Sequence, residues 1–306
     1  MNKKTIGIPK AFLYYRYHIL WETFFTNLGY QVITSKDTTK ETIELGKNYS
    51  IDESCLSSKI YMGHVASLQD KCDYILVPRI ENYGKKEKVC VKFNATYDLV
   101  KNLFEHNKIL DYNIEHTKYH YEFLELIKLG LKLTRNPFKI LKSYLKAKKE
   151  EQKYHKEREI QQSKIIAGTA PKILIISHPY NIYDNYIGKP IIDKLKSLGI
   201  DIIYADKLNK KTAKLYAYNL SPTLYWSYSK ELIGAISYYQ YAVDGILFLS
   251  SFPCGPDSLV NELMLRKITN LPMTNILIDE LNANTGLETR LESFIDIIKE
   301  RKDVDG

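Results

Sequence analysis

The sequence predicts an α/β protein of two successive parallel-sheet units with a helical segment between them, and three observations carry that expectation. Apolar or β-branched runs such as "KTIGIP", "DYILVPRI", "KILIISH" and "DGILFLSSF" alternate with stretches of helical periodicity. Strands separated by helices of this length pair in parallel, with helices over both faces of the sheet. The alternation then begins again near Lys172, and 306 residues exceed the ~100–200 typical of one domain.

In chain order, "KTIGIP" reads as a strand and "AFLYYRYHILWETFFTNLGY" as a helix ended by Gly29. "QVITS" is a second strand, "TTKETIELGKNYS" a helix with Thr39 as its cap, and "IDESCLSSKIYMGHVASLQ" another helix. "DYILVPRI" is the next strand. From Asp111 to Lys164 no strand is expected. There "TKYHYEFLELIKLGLKL" spaces its polar residues Lys118, Glu122, Glu125, Lys128 and Lys132 three or four or so apart, leaving a broad apolar face, and a more polar helix starts after Pro137. "GTAP" at 168–171 reads as a hinge. The second half brings "KILIISH", a helix to Gly199, "DIIYAD", an aromatic-rich helix around "WSYSKELIGAISYYQYA", "DGILFLSSF", a helix after Cys254, "TNILIDE" and a last helix from Leu287. The expected organisation is an N-terminal α/β domain over 1–110, a partly basic helical segment over 111–168, and a C-terminal α/β domain over 169–306.

Composition narrows the function classes. Hydrophobic residues at 44% and charged residues at 26% suit a soluble globular protein. No apolar run approaches the ~20 residues of a membrane helix, and "MNKKTIGIPK" lacks the apolar core of a secretory signal, so a cytoplasmic protein without a membrane partner is expected. The net charge of +8 is concentrated: between Asn136 and Lys164 nine Lys or Arg face four Glu. A charge run on one helix reads first as a solvated face, and no nucleic-acid module accompanies it, so no nucleic-acid partner is expected.

Ligands of open α/β sheets bind at the carboxyl ends of strands, so the residues just after each strand carry most weight. "HPYNIYD" places His178, Tyr180, Asn181 and Asp184 there, and Arg79 follows "DYILVP", where its fork could clamp an anion or form a surface ion pair. Cys254 stands between "GILFLSSF" and "GPDSLVNEL", a turn into a helix N-terminus that favours thiolate over thiol. Cys55 sits in a similar first turn. Cys90, in "KKEKVCVKF", reads as part of an extended stretch flanked by Lys88 and Lys92. Cys72 opens a strand and reads as packing. The cysteines show no CxxC spacing, so buried filler, reactive thiols and ligands gathered by the fold all remain open. Three thiolates could hold an iron–sulfur cluster or a zinc with an open position.

The stretches "IGIPKAFLYYRY", "YSIDESCLSSKIYMGHV", "YILVPRI", "CVKF", "HPYNIYD", "DGILFLSSFPCGPDSL" and "IDELNANTGLETRLESF" span both halves, and in this order they resemble the standalone proteins related to the activases of 2-hydroxyacyl-CoA dehydratases, relatives of the dehydratase D-component. The resemblance implies two flavodoxin-like domains with a [4Fe-4S] or related iron–sulfur cluster in their cleft, ligated by Cys55, Cys90 and Cys254. It implies an ATP-dependent activator protein as electron donor, a small-molecule or acyl-CoA substrate that is reduced or dehydrated, and association into a homo- or heterodimer. The chain has no Walker A motif, which would make it the acceptor. His64, Arg79, His178, Tyr180, Asn181 and Asp257 are the candidates for lining the cleft. Ser57 stands where the family usually has proline, Val91 departs at a similar place, and Leu281, Asn284, Thr285 and Gly286 replace a histidine and a small acidic-Ala-Gly element. Two other readings stand beside this one: a non-catalytic partner that docks an activator through the basic helix from Lys139 to Arg158, and a paired α/β body whose thiols only pack.

Overall fold

A computed structural model describes residues 3–104, 108–280 and 286–305, with side chains to 301. Leu281, Asn284 and Thr285 lie outside the described residues. The chain divides into two compact units, Met1–Tyr154 with Tyr225–Ser227, and His155–Leu224 with Tyr228–Gly306.

The first unit runs β1 (Thr5–Ile8), α1 (Tyr14–Asn27), β2 (Gln31–Thr34), α2 (Lys40–Lys47), α3 (Leu56–Leu68), β3 (Tyr74–Asn82), α4 (Val91–Leu103), β4 (Lys108–Glu115), α5 (Glu122–Leu133) and the first part of α6 (Pro137–Ile166). Its sheet has the order β2-β1-β3-β4, all parallel. Ile6, Ile75, Leu76 and Val77 are fully enclosed, and α1 adds Leu20, Trp21, Phe24 and Phe25, which recur on one helical face. Thr39 caps α2 as expected, its hydroxyl accepting from Thr42 N at 3.3 Å.

The second unit takes the rest of α6 and runs β5 (Lys172–Ile176), α7 (Pro179–Ile182), α8 (Lys189–Ser197), β6 (Asp201–Tyr204), α9 (Lys210–Leu220), α10 (Ser227–Tyr239), β7 (Gly245–Ser251), α11 (Gly255–Lys267), β8 (Met273–Ile278) and α12 (Leu287–Asp305). Its order, β6-β5-β7-β8, repeats the first, again all parallel. Every residue of β5 and β7 is buried, as a central parallel strand requires. Ile173, Ile175, Leu247 and Leu249 meet Leu195, Phe294 and Ile298 in its core. Two such sheets are the two-domain, flavodoxin-like α/β fold.

Two expectations are corrected. The sequence predicts no strand from Asp111 onward, yet β4 reaches Glu115 and pairs with β3 from Tyr74↔Lys108 to Asn82↔Glu115. Its inward residues Leu110, Tyr112 and Ile114 are buried while Asp111 and Asn113 alternate with them, and these polar residues dilute the strand signal. The sequence predicts an extended stretch around Cys90, but helix α4 begins directly after it.

Helices α2 and α3 meet backbone to backbone. A Cβ built on Gly63 would stand 2.0 Å from Thr42 O, and one on Gly46 would stand 1.9 Å from Lys59 O. Gly63→Ala is expected to lower stability by about 1–3 kcal/mol through this overpacking, although alanine is otherwise the better helix former. A denaturant titration with an unchanged or raised midpoint would contradict the close approach.

Candidate functional site

In each sheet the chain passes from the first strand outward to the second and then back to the third, which places a topological switch point between β1 and β3 and between β5 and β7. Loops leaving the carboxyl ends of neighbouring strands part there and leave room for a ligand.

In the second unit that point holds a row of hydrogen-bonded side chains. His178 follows β5 as the N-cap of α7, and Cys254 follows β7 as the N-cap of α11. Asp257 is three residues further on, in the first turn of α11, where the helix dipole favours a carboxylate. His178 Nε2 donates to Asp257 Oδ1 at 2.9 Å, and both side chains are buried. Cys254 hydrogen-bonds the same carboxylate. Burial pushes the Asp257 carboxyl up, but the His178 imidazole and the Cys254 thiol outweigh it and hold the group below the usual aspartate range. An ionised carboxylate only accepts, so His178 carries a proton on Nε2 toward Asp257.

Tyr180 stacks on His178 at 5.1 Å and 19°, and Tyr228 meets the same ring edge-on at 6.3 Å. Asn181 is fully buried in α7. Asp184 has a local role, accepting from Tyr186 N and Ile187 N at 2.8 and 3.0 Å. Of the candidates in this unit, His178, Tyr180, Asp257 and Cys254 are therefore brought together. Sequence reasoning missed Tyr228, which reaches the ring from α10. It also missed Ser177, whose buried hydroxyl has no hydrogen-bond partner among the described residues.

In the first unit Cys55 is the N-cap of α3 and Cys90 the N-cap of α4. Their carbonyls start the helices, Cys55 O accepting from Ser58 N at 2.8 Å and Cys90 O from Phe93 N at 3.0 Å. The two turns are neighbours, because Lys92 Nζ donates to Ser54 Oγ at 3.3 Å. All three candidate thiols thus share one local setting, a half-buried helix N-cap. Cys72 differs. Its sulfur sits 3.5 Å from Leu68 O and fills the space over Gly7, where an added Cβ would stand 2.6 Å away, and burial pushes its thiol up. Among the described residues, no three of His, Cys, Asp and Glu are gathered as a metal-binding group.

Arg79 braces α4: Nε donates to Asn94 O at 3.2 Å, the guanidinium pairs with Asp98, and it lies 5.3 Å from the Tyr97 ring centre. His64 is only 1% exposed and bridges α3 to the loop after β2, Nδ1 meeting Ser35 Oγ at 2.8 Å and Nε2 meeting Thr38 Oγ1 at 2.9 Å. Burial, helped by Lys10, lowers its pKa from 6.5 to about 4. Between these values the unfolded chain binds a proton that the folded protein refuses. The fold should therefore lose up to roughly 3 kcal/mol as pH falls from 6.5 through 4, with the full stability present above 6.5. Replacing this residue, as in His64→Gln, is expected to flatten that part of a stability–pH curve measured by denaturant titration, and an unchanged slope would contradict the assignment.

The family model for the CoA enzyme activase uncharacterised domain (DUF2229) matches residues 5–208. That span holds the whole described sheet of the first unit, Cys55 and Cys90, and it reaches through β5, His178 and β6, while Cys254 and Asp257 lie beyond it. No curated protein matches the chain. Two thirds of the sequence fall within one family model, and the chain belongs to that CoA enzyme activase domain family, the activase-related family of the 2-hydroxyacyl-CoA dehydratase type.

Proposed function

We propose that this chain is an iron–sulfur protein of the dehydratase system, with Cys55, Cys90 and Cys254 as ligands of a [4Fe-4S] or related cluster. In this reading it accepts low-potential electrons from an ATP-dependent activator protein and uses them to reduce or dehydrate a small substrate or CoA thioester. One observation carries the reading: three of the four cysteines are helix N-caps beside strand-end loops, while the fourth packs against Gly7.

The donor chemistry fits a thiolate-bound group. At a helix N-cap the unpaired N–H groups and the dipole stabilise a sulfur anion, the form that ligates iron. The fit rests on each thiol's own surroundings and not on a gathered set. Bound there, the group would supply one-electron chemistry and a Lewis-acidic iron.

The chain's residues have separate tasks. Asp257, held ionised in the first turn of α11, accepts the hydrogen bond of Cys254 and so orients the sulfur that would ligate iron. Asp257 also holds His178 with its proton on Nε2, so Nδ1 is available to take a proton from a substrate or to hold one for a departing hydroxyl. Tyr180 fixes the plane of that ring by stacking. Lys92, two residues after Cys90, reaches Ser54, the neighbour of Cys55, and so brings a positive charge to the two first-unit turns.

Protein purified and reconstituted without oxygen is expected to carry iron and sulfide and to give an EPR signal on reduction. Cys55→Ser, Cys90→Ser and Cys254→Ser should each lose most of the iron, whereas Cys72→Ser should keep it. Failure to retain iron after reconstitution, or equal retention by all four variants, would overturn the proposal.

A further inference from the structure

Helix α6 carries a surface that the proposed chemistry does not use. Its inward face packs through Ile140, Ser143 and Ala147, all buried. Facing the other way, Phe138, Leu141 and Leu145 are 84%, 41% and 58% exposed. These three follow one another at helical spacing and form a continuous apolar strip. Lys142, Lys146 and Lys149 border it.

The charge beside the strip has one sign. Residues 137–149 contain no Asp or Glu. Lys148 is turned aside into ion pairs with Glu122 and Glu151, both at 2.6 Å, and Arg158, further along the helix, pairs with Asp206 in the second unit. Among the described residues Lys146 reaches only the neutral Asn27, at 3.1 Å. Lys142 and Lys149 have no hydrogen-bond or ion-pair partner among the described residues. Among the described residues, the positive charge of Lys142, Lys146 and Lys149 next to Phe138, Leu141 and Leu145 thus meets no carboxylate.

The geometry points to this face as a docking surface for an anionic lipid bilayer, with Phe138, Leu141 and Leu145 inserted at the level of the headgroups and Lys142, Lys146 and Lys149 against lipid phosphates. Size decides between a bilayer and an acidic protein. Three side chains on one helix fall well short of the roughly 800 Å² per partner that a specific protein interface buries. A bilayer needs only shallow insertion of an apolar strip, and attraction summed over lysines that lie on one line. Each such lysine contributes about fivefold in affinity to an anionic surface. The expectation that no membrane is engaged rested on the lack of a spanning segment. Among the described residues no helix is long and apolar enough to cross a membrane, and peripheral docking requires none.

The test is co-sedimentation of the full chain with phosphatidylcholine vesicles, with and without phosphatidylglycerol. Binding is expected only to the anionic vesicles and should weaken as salt is raised. Lys142→Glu combined with Lys149→Glu should lower it by at least about tenfold, and Phe138→Ser should lower it while leaving the salt dependence in place. Both changes are on the exposed face, so unaltered circular dichroism and melting of the variants exclude loss of fold as the cause. Absence of binding to the anionic vesicles overturns the proposal and leaves the face to an acidic protein. Binding that ignores lipid charge, or that survives the double reversal, overturns it as well.

Discussion

Parallel pairing of the strands is the constraint from which the rest of this molecule follows. Two parallel neighbours cannot be joined by a tight turn, so every connection must cross back as a helix or long loop. All carboxyl ends then emerge at one edge of each sheet. With orders β2-β1-β3-β4 and β6-β5-β7-β8, the outward and returning connections separate at the first and third strands of each unit. Cys254 and His178 owe their proximity to this geometry, since they leave β7 and β5, which are hydrogen-bonded neighbours.

Helix N-termini add the second level of organisation. A helix that starts at the carboxyl edge presents unsatisfied N–H groups there, and the residue just before it is the one that can project a polar atom over them. Cysteine occupies that place at α3, α4 and α11. No side-chain cap bond to the helix backbone is made by any of the three. By contrast Thr39 and Asn209 satisfy their helices by accepting backbone N–H groups, as ordinary caps do. The same position is thus used for local stability at α2 and α9 and is occupied by sulfur at the three sites argued to have a chemical role.

Much of this organisation was legible in the sequence, and the exceptions have physical reasons. Strands β5 and β7 are unbroken apolar runs because both of their faces are covered. Cys254 could be placed at a helix start because Gly255 and Pro256 announce one. Helix α4 was hidden: its buried positions Phe93, Thr96 and Val100 include a threonine, and Val91 at its first turn is exposed, so the apolar stripe is faint and the β-branched local pattern imitates a strand. The pairing of Asp257 with His178 joins residues from different strand ends, and no local pattern reports such a contact. Arg79 could have clamped a ligand on sequence grounds; Asp98, one helical turn beyond Asn94 in α4, decides where its charge is used.

The three residues Tyr225–Ser227 belong to the first unit although the chain on either side of them belongs to the second. Lys88 N donates to Tyr225 O at 2.9 Å, Ser227 N donates to Lys88 O at 2.7 Å, and Ser227 Oγ donates to Glu87 Oε2 at 3.1 Å. This clasp grips the loop immediately ahead of Cys90. A single cut in the polypeptide after Tyr154 would consequently free an N-terminal fragment without the short segment that holds the loop ahead of one of its own thiols.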